Sequence, residues 1–146
     1  MFLRQIKYWL AVMLSVFFLA PLQAAEPLPK TQLQIGIHLI KAEVAATPES
    51  RAKGLMQRTQ LDKNNGMLFI FDIDDIHGMW MRNTLLPLSV AFIDKSGAIL
   101  NIAEMKPLDE TTHNSAGPAT YALEMNGGWF SQHGIKAGDK VQGLPK

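Results

Sequence analysis

Two short stretches set the narrowest limit on what this chain can fold into: Met67–Phe71, MLFIF, and Leu88–Ile93, LSVAFI. Both are apolar on both faces, Ser89 apart. Runs of this kind are strands covered on two sides or pieces of a buried helix. Their length and their bounding turns select strands. Asp62–Gly66, DKNNG, precedes the first, and Asp94-Lys-Ser-Gly97 follows the second. A strand without a polar face needs material on both sides, so the rest of the chain has to supply it.

It does so mostly with further strands. Leu33, Ile35, Ile37 and Leu39 alternate with Gln34, Gly36 and His38, the pattern of one half-buried strand. Lys41–Ala45 is a second short candidate. The Asp94–Gly97 turn joins LSVAFI to Ala98–Met105 as a hairpin, Thr120–Met125 is another strand, and a last one follows Ala137-Gly-Asp139. Helix signals are confined to two places. Thr47 caps, Pro48 suits the first turn and Glu49 complements the dipole of a helix that fades near Gly54. Trp129–His133 makes one turn, stopped by Gly134. Pro107–Pro118 is a long polar loop. The expectation is a mainly β, compact β-sandwich or barrel-like domain with one or two short helices.

The N-terminus reads as a secretory signal. Arg4 and Lys7 precede Tyr8–Leu22, an apolar run of 15 residues. That is short of the roughly 20 a spanning helix needs. Small residues at Ala24 and Ala25 suit cleavage, with the cut after Ala24 preferred over Ala25. The expected organisation is a signal peptide over 1–24, a flexible lead-in over 25–32 and a single β-rich domain over 33–146. The protein is then periplasmic or secreted, and touches a membrane only through the signal segment if that stays uncleaved. The fourteen Lys and Arg lose Arg4 and Lys7 on processing, leaving twelve against thirteen Asp and Glu. A near-neutral mature chain without a basic patch does not point to nucleic acid. With no cysteine, thiol catalysis and disulfide exchange are excluded and stability rests on packing.

Chemistry concentrates in His77–Thr84, HGMWMRNT. Read as a strand, it turns His77, Met79, Met81 and Asn83 one way and Gly78, Trp80, Arg82 and Thr84 the other. The first set holds soft and borderline ligands that suit Cu(I), although Met also simply fills cores. The second offers a flat apolar wall in Trp80 and a fork of donors in Arg82, with short polar groups beside them. That is a pocket for a small polar or anionic ligand, or else a rim tryptophan beside an ion-paired arginine. Glu124 falls on the face of Thr120 and Ala122. It faces solvent in the plain reading and pairs with Arg82 or Arg58 inside the pocket in the sharper one. Asp72, Asp74 and Asp75 lack the glycine and distal glutamate of a calcium loop and read as a solvated turn. No phosphate loop, dinucleotide fingerprint or serine elbow is present, so no cofactor is implied.

Five segments in order resemble one family: GLMQR (54–58), GMLFIF (66–71), WMRNTLLPLSVAFID (80–94), ATYALEMNGGW (119–129) and GIKAGD (134–139). The chain is similar to the prokaryotic domain-of-unknown-function family numbered 192. The resemblance implies a small, often exported, compact β domain. It places functional-looking residues at Arg58, Trp80, Arg82, Asn83, Thr84 and Glu124 and supplies no reaction. The family usually has lysine where this chain has Arg82 and often aspartate where it has Ser89; His77 and Met79 lie outside its motif. The leading expectation is therefore an exported binding or accessory domain for a small polar or anionic ligand. The alternatives are a cell-envelope hydrolase using Glu124 as acid or base, and a Cu(I)-handling protein using His77, Met79 and Met81.

Overall fold

The computed structural model of the chain describes residues 26–146, and the expected signal segment lies outside them. Nine strands and two short helices follow in order. They are β1 (Lys30–Ile35), β2 (His38–Ala45), α1 (Pro48–Lys53), β3 (Asn65–Asp75), β4 (Gly78–Met79), β5 (Leu88–Ile93), β6 (Ile99–Met105), β7 (His113–Asn114), β8 (Ala119–Asn126), α2 (Trp129–Gln132) and β9 (Val141–Gln142). Seven strands form one sheet in the order β6-β5-β8-β3-β2-β1-β9, curled into a half-barrel. β4 and β7 form a small separate ribbon. The fold is mainly β, as the strand signals predict.

The pairing is antiparallel except between β2 and β3, which run parallel. A parallel pair cannot be closed by a tight turn and needs a crossover. α1 is that crossover, started by a capping box in which Thr47 and Ser50 satisfy each other's free amides. The helix and the residues just after it bring positions 51–56 to the wall of the candidate site's cavity.

Both faces of the sheet bury apolar side chains. Leu68, Ala91, Ile93, Leu123 and Met125 join one core, with Trp129 and Phe130 of α2. Met67, Phe69, Val90, Phe92 and Ala122 join a second, with Leu55, Met79 and Met81. All six residues of β5 are buried, so LSVAFI is covered on two sides as its composition demands. No helix among the described residues is long and apolar enough to cross a membrane.

Three sequence expectations are corrected. Leu33–Leu39 is not one strand. Gly36, at φ 56°, lets the chain turn at Gly36-Ile37 into the β1–β2 hairpin, so the inward phase shifts from Ile35 to Ile40. Ile37 is left 88 % exposed at the tip. The lead-in drawn to residue 32 is shorter, because Lys30–Gln32 already pair with Lys41–Glu43. HGMWMRNT is not a full strand either. Only Gly78–Met79 pairs, with His113–Asn114, and the chain then turns at Asn83, at φ 51°.

Candidate functional site

β8 runs between β3 and β5, in the interior of the sheet. Glu124 on β8 is opposite Met67 on one side and Val90 on the other, both fully buried. It shares the face of Ala122, as the period-2 pattern predicts, but that face is core and not solvent. Glu124 is only 4 % exposed. Neither Arg82 nor Arg58 reaches it: the ion pairs among the described residues are Arg51–Asp72, Arg58–Glu43 and Arg82–Glu110. Burial alone pushes the Glu124 carboxyl up to about 8, leaving it mainly a neutral acid at neutral pH.

That carboxyl lines a cavity of about 180 Å³. The end of α1 and the residues after it contribute Arg51, Lys53 and Leu55, and β3 contributes Phe69 and Phe71. The β4 segment and its turn contribute Met79, Trp80 and Thr84. The wall mixes apolar and aromatic side chains with polar ones: one acid from β8, Thr84 from the turn and two cationic residues from α1.

Of the predicted residues, Trp80, Thr84 and Glu124 come together here. Trp80 is 44 % exposed and forms an open wall. Arg82 is near it but outside the lining: its guanidinium carbon lies 5.5 Å from the indole centroid, and its Nε is 3.7 Å from Glu110. Asn83 is exposed and acts through its backbone. Its carbonyl accepts the Gln57 N–H at 2.8 Å, tying the turn to the segment after α1. Asparagine is among the residues that tolerate the left-handed conformation there. The Thr84 hydroxyl donates to the Arg82 carbonyl at 3.0 Å, closing the same turn. Arg58 is elsewhere, held by two bonds of 3.1 and 2.5 Å to Glu43. This pairing raises Arg58 and holds Glu43 below the usual carboxylate range.

Sequence reasoning missed Arg51, Phe69 and Phe71. Arg51 donates to the carbonyls of Ala46 at 2.7 Å and Ile70 at 2.8 Å, and pairs with Asp72 at 2.6 Å. It thereby pins α1 to β3. No sequence signal links positions 51 and 72. The phenylalanines had a signal: Met67, Phe69 and Phe71 alternate on one side of β3.

Of the soft-ligand set, Met79 and Met81 both join the second core. His77 stacks on Phe71 at 3.7 Å, with Nε2 2.9 Å from the Ile73 carbonyl. Met79 lines the cavity, whereas Met81 is buried without exposure. Asp72 binds Arg51, Asp74 accepts the Thr120 hydroxyl at 2.6 Å, and Asp75 accepts the Ile76 N–H. No group of three or more His, Cys, Asp or Glu among the described residues is placed to hold a metal.

Two solved structures share this architecture. One, from Sinorhizobium meliloti 1021 and provisionally assigned as a transcription regulator, is 33 % identical with a TM-score of 0.80, over 82 % of this chain and 98 % of that one. The other, a protein of unknown function from Novosphingobium aromaticivorans DSM 12444, is 39 % identical with a TM-score of 0.73, over 84 % of this chain and 89 % of that one. No curated protein matches significantly. The family pattern DUF192, described as Uncharacterized ACR, matches residues 31–143. That span takes in all of the seven-stranded sheet but the first residue of β1, with Trp80, Thr84 and Glu124 inside it, and the chain belongs to this family.

Proposed function

We propose that the protein is an exported binding domain for a small ligand, seated in the cavity between Trp80 and Glu124. The observation that carries this reading is a buried carboxyl without an ionic partner, opening on a cavity with a half-exposed indole. A buried acid costs stability unless something is gained from it, and polar groups placed in apolar clefts are the usual sign of a binding site. The ligand presents a compact apolar body to Trp80 and the phenylalanines and one polar end to Glu124. Arg58 and Arg82 are engaged elsewhere and do not attract it. Export rests on the basic, apolar and small-residue pattern of positions 1–24.

Native mass spectrometry of protein expressed with its leader and recovered gently from periplasm tests this. The expected result is an N-terminus at Ala25 and a bound small mass. Trp80→Ala loses that mass while staying folded, and Arg58→Ala retains it. A folded Trp80→Ala variant with undiminished ligand overturns the reading.

A second reading has one observation in its favour. A carboxyl pushed up to about 8 beside a cavity is suited to proton transfer near neutral pH. An envelope hydrolase would lose turnover in Glu124→Gln with its fold intact, and binding alone would not.

A further inference from the structure

We propose that the Glu124 cavity takes a compact zwitterion, its alkylated ammonium end against Glu124 and the aromatic walls and its carboxylate end toward Lys53. The inference rests on the binding reading above and names its ligand class.

Charge supplies the first argument. Glu124 has no ion pair among the described residues, and since no fully buried side-chain oxygen there lacks a hydrogen-bond partner, its unpaired carboxyl reaches the cavity's open space. A cation brought by the ligand is the partner that the fold withholds. The positive groups of the lining, Arg51 and Lys53, both come from α1, whereas Glu124 comes from the sheet. Arg51 is already neutralised by Asp72, with Nη1 on Ala46, Ile70 and Asp72 and Nη2 on Asp72, so Lys53, which has no ion pair among the described residues, is the open positive charge of the lining. A ligand with one charge meets only half of this. A plain organic cation would satisfy Glu124 and be repelled at α1. A plain carboxylate would satisfy α1 and leave the acid bare.

The walls supply the second. Phe69, Phe71 and Trp80 contribute three aromatic rings to one small cavity. Ring faces attract cations, and methylated ammonium groups, which shed water easily, gain most from such enclosures. Size is the third. About 180 Å³ is close to cavities known to admit a benzene-sized body, so the ligand has on the order of six to eight non-hydrogen atoms.

Four probes of nearly one shape separate the possibilities by calorimetry on the mature protein. Glycine betaine carries both charges, choline only the cation, 3,3-dimethylbutanoate only the carboxylate, and 3,3-dimethylbutan-1-ol neither. Betaine is expected to bind at least about tenfold tighter than any of the other three. Glu124→Gln should bring betaine down to dimethylbutanoate, and Lys53→Gln, at an exposed position, should narrow the gap between betaine and choline. Dimethylbutanoate or choline binding as well as betaine overturns the zwitterion while the pocket stands. If none of the four binds, the zwitterion falls. If the neutral alcohol also leaves the Trp80 indole N–H resonance unmoved, the pocket reading falls with it.

Discussion

Trp80 and Glu124 line the same small cavity, the indole 44 % exposed at its opening and the carboxyl 4 % exposed in its wall. The two are held by different kinds of structure. Glu124 is fixed by a central strand with partners on both sides, whereas Trp80 follows a two-residue strand and precedes a turn. A rigid acid and a loop-borne wall are the usual division between what a site holds still and what it adapts. The turn is itself tied back to the segment after α1 through Asn83 and Gln57, so the wall is placed by the crossover as well as by its own strand.

The Arg58–Glu43 pair is predicted to be a minor prop. Its two bonds are well formed, but the side chains are 35 % and 24 % exposed, and solvent screens such pairs. Arg58→Ala should cost about 1 kcal/mol or less in urea unfolding at pH 7. Glu43 is held low mainly by its bond to Arg58. The pair's contribution is therefore present above the ordinary value of 4.5 and is lost as pH falls through the lower folded value. A cost well above 2 kcal/mol, or lost ligand, would give Arg58 a role this geometry does not.

Ser89 predicts a compensating pair. Its buried hydroxyl donates to Glu104 at 2.6 Å and accepts the Gly128 N–H at 2.7 Å; the same N–H reaches Glu104 at 3.1 Å. The aspartate that the family resemblance implies is often found there would accept the Gly128 amide alone. Here it would set a second carboxylate against Glu104 and remove the hydroxyl that now donates to it. Ser89→Asp is expected to destabilise by about 2 kcal/mol, and adding Glu104→Gln should recover most of that loss. Additive costs in the double variant would show that the two positions do not share this task.

Gly66 is predicted to tolerate no side chain. It pairs with Met125 on β8, and a Cβ there would run into the Glu124 carbonyl and the Met125 sulfur. The carbonyl belongs to a central strand and cannot swing aside. Gly66→Ala should destabilise by about 1–3 kcal/mol or more. Because the strain falls on the backbone that carries Glu124, it should also move the Trp80 indole resonance in the folded fraction. A neutral effect on both would mean that the strands part more easily than their register implies.

Legibility in the sequence followed the range of the interaction. LSVAFI announced a doubly covered strand, and Thr47 with Pro48 announced the start of α1, because both signals lie within a few residues. The phase shift at Gly36-Ile37 escaped because the hydropathy alternates straight through it and only the conformation of Gly36 breaks the line. Within the site, period-2 alternation placed Glu124 on the correct face. It did not say whether that face was wet or dry, since that depends on Leu55, Phe69 and Met81 arriving from elsewhere in the chain. The two arginines singled out by motif were taken by Glu43 and Glu110, while the arginine lining the cavity, Arg51, was fixed by a partner in β3. Ion-pair partners are settled by tertiary placement, to which a single sequence has no access.

Glu124→Gln is predicted to stabilise the protein, by an amount that grows with pH. Burial moves the carboxyl from 4.5 to about 8. Between these values the folded chain holds a proton that the unfolded chain has given up. The acid's contribution is therefore full below about pH 4.5 and is lost as pH rises through about 8. At pH 7 the cost of holding that proton is on the order of 3 kcal/mol, an upper figure because water reaching the cavity would ease it. Glutamine keeps the shape and never ionises, but its extra N–H groups need acceptors, which offsets part of the gain. The expected net is about 1–3 kcal/mol of stabilisation at pH 7, shrinking toward zero or reversing near pH 5. Urea unfolding of both proteins at pH 5, 6, 7 and 8 reads the difference directly and cancels the titration of Glu43, Asp94 and Asp109, which both proteins share. Parallel curves would mean that Glu124 ionises normally in the folded chain, because water or an internal donor already serves it. The case for a ligand-supplied partner would then be gone. A widening gap, together with lost binding in the stabler variant, would show an acid kept at a cost to the fold for the sake of what it holds.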